Sequence, residues 1–173
     1  LLDVTGGFVV YGGIIAGIAA GYVYCRARKI SFLRYLDLVA PSVALAQGFG
    51  RIGCFLAGCC YGMEWSGPCA VTFTESHYAP NGIPLFPSQL VSSGLDFLHF
   101  FLLCFLARRS REPGRIGAFY LLFYSAGRFC IEFFRGDLER GQVGSLSTSQ
   151  FISLFTAAVG LGILFFLGRR RKV

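Results

Sequence analysis

The sequence predicts an all-α fold, a polytopic integral membrane helical bundle with about five transmembrane helices. Only 14% of the 173 residues are charged and 54% are hydrophobic, whereas a soluble domain carries about a quarter charged residues. Five apolar runs each approach the roughly 20 residues that cross a hydrocarbon core about 30 Å thick. Three clusters of four Lys or Arg stand at the ends of these runs, which indicates orientation in a membrane because basic residues are held on the cytoplasmic side.

The five runs give the predicted helices in chain order: residues 8–25, 36–57, 89–107, 116–134 and 151–167. In the first, the basic residues follow the apolar run, which argues against a signal peptide. The second is the least apolar because it contains Asp37, Gln47 and Arg51, and a partly re-entrant segment is its alternative. The third and fifth end at basic clusters, and the fourth begins after the Pro-Gly pair at 113–114.

Alternation of the five helices puts the three basic clusters on one side, which we expect to be the cytoplasmic side of a bacterial plasma membrane. The clusters are Arg26, Arg28, Lys29 and Arg34; Arg108, Arg109, Arg111 and Arg115; and Arg169, Arg170, Arg171 and Lys172. They account for the net charge of +7, so the lipid bilayer is an expected partner and nucleic acid is not. Residues 1–173 are predicted to form a single transmembrane domain.

Two arginines lie inside the apolar runs, away from the basic clusters. Arg51 is roughly 22 Å and Arg128 roughly 18 Å above the inner face, at 1.5 Å per helical residue. Both therefore fall in the outer half of the membrane, and Tyr11 at the outer end of the first helix lies at similar depth. A charge within the bilayer is costly and indicates a functional site.

The fourth helix carries a polar face. Tyr124, Arg128, Glu132 and Arg135 are spaced four, four and three residues apart, which places them on one side of a helix. A purely structural role is the alternative, in which Arg128 and Glu132 form an ion pair that closes the packed bundle. That ion pair leaves Arg51 and Arg135 without an obvious acidic partner. Arginine matches phosphate geometry well, so we favour binding of an anionic phosphate ligand from the outer leaflet.

Asp96 in the third helix is a further carboxylate within an apolar run. It is a candidate partner for one of the arginines. His99, three residues further along the same helix, is a second candidate partner for it. The sequence leaves both pairings open.

Five motifs of the chain resemble, in order and spacing, those of the prolipoprotein diacylglyceryl transferases. The most specific is GRIGCFLAGCCYG at residues 50–62, similar to the family signature G-R-[IL]-G-N-F-x-N-G-E-x-[YW]-G. The others are YGG at 11–13, FPSQL at 86–90, YSAGRFCIEFFR at 124–135 and LSTSQ at 146–150. The resemblance covers nearly the whole chain but not the family's N-terminal segment, so we expect an N-terminal helix to be missing.

The resemblance implies an enzyme of lipoprotein biosynthesis. Such transferases move the diacylglyceryl group of phosphatidylglycerol onto the thiol of a lipobox cysteine in a prolipoprotein, and glycerol phosphate leaves. The implied active site faces the extracytoplasmic side and uses no metal or other cofactor. The implied catalytic residues are Arg51, Arg128, Glu132 and Tyr11. The implied substrate-binding residues are Arg51, Gly53, Cys54, Cys59, Gly62, Gln89 and Arg135, with the phosphate on Arg51 and Arg128.

The chain departs from the family pattern where protons would be handled. Cys54 and Cys59 stand where the family has Asn and Glu, and Tyr11 and Phe86 stand where it has His. Activation of a thiol needs a base or a depressed thiol pKa. Tyr11 or a neighbouring cysteine would therefore have to help, or the substrate differs.

The outer cysteines support a rival interpretation, a non-transferase or thiol-redox relative that keeps the phospholipid pocket. A disulfide between Cys69 and either Cys59 or Cys60 would suit an oxidising compartment. A metal site is disfavoured, because Cys59 and Cys60 are adjacent and lack the separated pairs typical of zinc sites. A covalent intermediate on a site cysteine is a further alternative.

Overall fold

A computed structural model describes residues 7–136, 142–143 and 146–170 of the chain. It contains five α-helices: α1 (Gly7–Ala27), α2 (Phe32–Ala57), α3 (Ser88–Arg109), α4 (Arg115–Glu132) and α5 (Thr148–Arg170). All five predicted helices are therefore confirmed, and α2 is one continuous helix. Among the described residues, α2, α3 and α5 are long and apolar enough to cross a membrane. The number of spanning helices beyond these three stays a prediction.

Four short strands in the loops were not predicted from the sequence. Strand β1 (Val71–Thr72) pairs antiparallel with β2 (Pro84–Leu85) in the long loop between α2 and α3. Strand β3 (Gln142–Val143) pairs antiparallel with β4 (Leu146–Ser147) just before α5. A single bridge between Gly62 and Arg135 ties the long loop to the end of α4.

Contacts between helices show that α3 runs antiparallel to α2 and that α5 runs antiparallel to α4. Ser93, near the start of α3, donates a hydrogen bond to the Gly48 carbonyl in the second half of α2 (2.9 Å). Arg128, near the end of α4, contacts Ser149 in the first turn of α5. Asp37 near the start of α2 also contacts the start of α4, so the starts of α2 and α4 and the ends of α3 and α5 share one end of the bundle. It is called here the basic end because Arg34, Arg108, Arg115 and Arg169 lie there.

A carboxylate from α2 caps the start of α4 at the basic end. Asp37 accepts hydrogen bonds from the backbone amides of Gly114 (2.6 Å) and Gly117 (2.8 Å). Gly114 precedes the helix with φ +90°, a conformation that favours glycine. The first amides of a helix lack intrahelical partners and carry partial positive charge, so Asp37 satisfies them and joins α2 to α4.

The bundle has a small interior and an apolar exterior. Ala40 and Ala44 of α2 are buried with Leu103 of α3 and Ile116 of α4. Small residues at helix contacts allow close backbone approach. Large apolar side chains such as Leu56, which is 80% exposed, cover the outside. This distribution is the one expected when lipid, and not water, surrounds the helices.

Candidate active site

The two arginines of the apolar runs line one cavity at the end of the bundle opposite the basic end. Arg51 stands six residues before the end of α2, and Arg128 stands four residues before the end of α4. Together with Asp96, His99 and Tyr124 they line a cavity of ≈ 40 Å³ between α2, α3 and α4. The structure thus brings together Arg51 and Arg128, as the sequence predicted.

Arg128 is held at two points. Its Nη1 lies 2.7 Å from Glu132 Oε2, and the two side chains are only 12% and 9% exposed. Its Nη2 donates a hydrogen bond to the Ser149 hydroxyl at 2.8 Å. A guanidinium fixed by a carboxylate and a hydroxyl loses little freedom when it binds a further anion, because its rotamer is already set.

Ser149 reaches Arg128 because a capping box starts α5. The Ser147 hydroxyl accepts from the Gln150 amide (3.2 Å), and Gln150 Oε1 accepts from the Ser147 amide (3.1 Å). This reciprocal pattern fixes the first helical turn, where Ser149 sits. Ser149 was not among the predicted site residues, although the Ser147-x-x-Gln150 spacing is the sequence signal for the cap.

Arg51 makes no ion pair with any residue of the described ranges, in contrast to Arg128. Its charge acts on Asp96 and on Arg128 across the cavity. Asp96 forms no salt bridge within the same ranges, so both predicted pairings of Asp96, with an arginine and with His99, are absent from this part of the chain. Arg51 is therefore the cavity cation whose donors remain available to a ligand.

His99 is packed as part of the cavity wall. Its ring stacks on Tyr120 with centroids 5.2 Å apart, and its buried Nε2 has no hydrogen-bond partner among the described residues. Tyr120 in turn donates to Gln47 Oε1 at 3.0 Å. This stack joins α2, α3 and α4 beside the two arginines.

The remaining predicted site residues have different positions. Arg135 is 8% exposed and its backbone bridges to Gly62, away from the cavity lining. A Cβ at Gly62 would collide with the Phe86 carbonyl, so this glycine serves a close backbone approach within the protein, whereas Gly53 has open space around it. Tyr11 lies in α1, but its side chain lies outside the described residues, so its role stays a prediction.

Gln89 supports the cysteine loop and does not line the cavity. Its side chain is 2% exposed, and Nε2 donates to the Cys59 carbonyl at 2.9 Å. The neighbouring Ser88 hydroxyl donates to the Cys60 carbonyl at 3.0 Å. The start of α3 therefore fixes the position of the Cys59–Cys60 dipeptide.

The sulfur atoms of Cys54, Cys59 and Cys60 all lie within 4.8 Å of one another. In the part of the chain that the structure describes no disulfide is formed, and Cys69 is exposed outside this group. The disulfide considered between Cys69 and Cys59 or Cys60 is thus not formed, and Cys54 lies beside the other two thiols. Burial raises the pKa of the Cys59 thiol to about 12, with Cys60 and Cys54 adding to the rise. A protonated thiol is a weak nucleophile, so a covalent intermediate on Cys59 gains no support.

The fold and the cavity define a helical membrane protein in which two arginines of separate helices line one cavity. The sequence model of the family described as prolipoprotein diacylglyceryl transferase matches residues 2–166. This chain therefore belongs to the prolipoprotein diacylglyceryl transferase family.

Three relatives illustrate the similarity. A phosphatidylglycerol–prolipoprotein diacylglyceryl transferase of Clostridium tetani is 52% identical over 172 residues, covering 99% of this chain and 68% of the relative. The enzyme named transferase 2 of Clostridium perfringens is 48% identical over 160 residues, covering 92% and 62%. A transferase of Finegoldia magna is 34% identical over 163 residues, covering 93% and 62%. The chain thus spans about two thirds of the length of these curated relatives.

Proposed function

We propose that this chain carries the active site of a phosphatidylglycerol–prolipoprotein diacylglyceryl transferase. The substrates are phosphatidylglycerol and a prolipoprotein with a lipobox cysteine, and the setting is the lipid bilayer of a bacterial plasma membrane. The relatives that match the chain bear this name. All three relatives are named as transferases, so we do not favour the rival interpretation of a thiol-redox protein.

In the proposed orientation the basic end faces the cytoplasm, because Lys and Arg are retained on that side. All five helices cross the membrane and form one transmembrane domain. The cavity with Arg51 and Arg128 then lies in the outer half of the bilayer and faces the extracytoplasmic side. A phospholipid of the outer leaflet reaches it laterally, since the helix exteriors are apolar.

The reaction requires that negative charge on the leaving group be stabilised. The acceptor thiol loses its proton, and its sulfur forms a bond to the glycerol carbon that bears the phosphate ester. The carbon–oxygen bond breaks, and its electron pair goes to the oxygen of the departing glycerol phosphate. Arg51 and Arg128 hold that phosphate, and fixed cations in a site with little water stabilise such developing charge strongly.

The observation that carries this proposal is the shared cavity of Arg51 and Arg128. Arg128 is anchored by Glu132 and Ser149, while Arg51 keeps its donors for the ligand. Two guanidinium groups on separate helices suit a phosphate, because each offers donors in a planar fork. In this arrangement Glu132 orients Arg128 and does not handle the reacting proton.

The proposal is tested with the full-length protein, phosphatidylglycerol and a lipobox peptide. The expected result is a gain of one diacylglyceryl group in the mass of the peptide, with release of glycerol phosphate. A control peptide with Ser in place of the lipobox Cys is expected to gain nothing. An unmodified cysteine peptide, under conditions where the protein binds phosphatidylglycerol, would contradict the proposed reaction.

A further inference from the structure

We propose that Cys54, Cys59 and Cys60 bind a zinc ion whose open fourth position takes the acceptor thiol. The metal site stands on the geometry of the three cysteines, whereas the identity of its fourth ligand rests on the proposed function. The sequence disfavoured a metal because Cys59 and Cys60 are adjacent. The structure supplies the missing separation, since Cys54 joins them from the preceding helix.

The way α2 ends brings Cys54 and Cys59 together. Gly58 adopts φ +71°, its amide bonds to the Phe55 carbonyl (3.0 Å), and the Cys59 amide bonds to the Cys54 carbonyl (3.0 Å). These two bonds form a Schellman motif, in which the side chains of the first and last residues contact each other. Those two residues are usually apolar, and here both are cysteines.

Cys60 is turned toward the same group by an uncommon backbone conformation. Its φ is +59°, which a residue with a Cβ adopts only when its surroundings impose it. The buried Gln89 and Ser88 side chains hold the carbonyls of Cys59 and Cys60. Three thiols on a backbone fixed in this way form a preorganised site, which metal binding need not assemble.

The spacing and chemistry of the three sulfurs suit zinc. Zn–S bonds of about 2.3 Å in a tetrahedron place sulfurs about 3.8 Å apart, so the present separations need only a small contraction. Thiolates select soft or borderline metals such as zinc and copper. Zinc has no redox chemistry, as the transfer reaction requires, and three protein ligands leave its fourth position for a substrate.

The cysteine group begins about one helical turn beyond Arg51, one of the two residues proposed to hold the phosphate. Cys54 follows Arg51 by three residues on α2, a rise of about 4.5 Å along the helix axis. A thiol held at the metal is therefore close to a phosphate held at Arg51, and the carbon to be attacked is bonded to an oxygen of that phosphate.

The metal would supply the thiol activation that the residues of the cavity leave unassigned. Zinc deprotonates a coordinating thiol outright, and the proton passes to water. The zinc-bound thiolate sulfur then forms the bond to the glycerol carbon, and the leaving oxygen keeps the electron pair of the broken carbon–oxygen bond. The oxidation state of zinc does not change, and the neutral thioether product dissociates because the thiolate is the preferred ligand.

The first test is the metal content of purified full-length protein, measured by mass spectrometry of zinc, copper and iron. We expect about one zinc per wild-type chain, and at least a tenfold lower content in Cys54→Ser and Cys59→Ser. Cys69→Ser and Cys130→Ser are matched controls outside the group and are expected to keep the zinc. The site would be overturned by wild-type protein that contains no zinc, or copper or iron in its place. It would also be overturned by zinc that persists in Cys54→Ser, or by a disulfide between Cys54 and Cys59.

The second test uses wild-type protein, so that it does not depend on the folding of the cysteine variants. Zinc is replaced by Co²⁺, whose absorption spectrum reports its ligands. A lipobox peptide with Cys is expected to add a thiolate-to-cobalt band, and the same peptide with Ser is expected to add none. Identical spectra with the two peptides would overturn the assignment of the fourth ligand.

These outcomes separate the metal site from the proposed function. If protein freed of zinc by a chelator still transfers at the wild-type rate, zinc activation is rejected but the transferase is not. Asp96, the carboxylate that lines the cavity, would then be the candidate base. A cobalt spectrum that responds to the cysteine peptide, without diacylglyceryl transfer, would keep the site and reject the proposed reaction.

Discussion

Glu132 lies one helical turn beyond Arg128 on α4, and its Oε2 is 2.7 Å from Arg128 Nη1. Ser149 holds a second nitrogen of the same guanidinium, so the ion pair and this hydrogen bond together fix the side chain of Arg128 beside the cavity that it lines with Arg51. Arg128 is thus oriented before any ligand binds.

Replacing Glu132 by Gln should destabilise the protein and slow transfer together. Breaking a buried ion pair from one side costs about 3–5 kcal/mol, because it leaves an uncompensated charge. We expect a lower thermal unfolding midpoint in detergent and a fall in kcat. Glu132→Asp should recover part of both, and a variant with unchanged stability and activity would show that the ion pair is dispensable.

Ser149→Ala should affect activity more than stability. A hydrogen bond to a charged group contributes about 1.5–3 kcal/mol, and here it sets the direction of the Arg128 guanidinium. We expect transfer to fall by at least tenfold at saturating lipid, with the α5 cap intact because Ser147 and Gln150 remain. Ser149→Thr, which keeps the hydroxyl, should restore most of the rate, and an equal loss in both variants would argue against the hydrogen bond.

Replacement by Ala should affect the stability of the protein differently at two glycines of the signature motif, Gly62 and Gly53. A Cβ at Gly62 would collide with the Phe86 carbonyl, while Gly53 has nothing within 4 Å of an added Cβ. We therefore expect Gly62→Ala to lower the yield of folded protein and its unfolding midpoint. Gly53→Ala should keep the yield and raise the midpoint slightly, because Gly53 lies inside α2 and Ala is favoured over Gly in a helix interior by about 0.5–1 kcal/mol. Size-exclusion profiles and thermal unfolding of the two variants make the comparison, and similar behaviour would refute the packing role of Gly62.

Asp37→Ala should weaken the fold without changing the active site. The side chain caps two amides at the start of α4, and loss of a helix cap costs about 0.5–2 kcal/mol. We expect a lower unfolding midpoint but an unchanged KM for phosphatidylglycerol, since the cavity lies at the other end of the bundle. Asp37→Asn should lower the unfolding midpoint less than Asp37→Ala does. A changed KM would mean that losing the cap at the start of α4 alters the position of Arg128 near its end.

The helices and the basic end could be predicted because hydropathy and charge placement are local properties of the sequence. The predicted second helix starts four residues too late, at 36 instead of Phe32, because Arg34 obscures its hydropathy. The predicted fourth helix runs two residues too far, to 134 instead of Glu132, because two phenylalanines continue the apolar run beyond the last helical turn.

The detailed site could be predicted only in part. Arg51 and Arg128 share a cavity as expected, because helical depth places both near the outer end. The contact between Arg128 and Ser149 joins two helices, and periodicity within one helix carries no information about it. The cysteine group depends on how α2 ends, for which Gly58 was the available sequence signal. Gln89 matches a family motif, yet the motif alone does not reveal that its amide holds a backbone carbonyl.

The most direct measurement compares Arg128→Ala with Arg109→Ala in the transfer assay with phosphatidylglycerol and the lipobox peptide. Both variants lose one positive charge, but Arg109 lies at the basic end, where it stacks on Phe105. We predict that Arg128→Ala lowers kcat by about 10²–10³-fold, as expected for loss of one stabilising group in the transition state, whereas Arg109→Ala retains the wild-type rate. Equal rates in the two variants, with both folded, would contradict the role of the arginine cavity in the reaction.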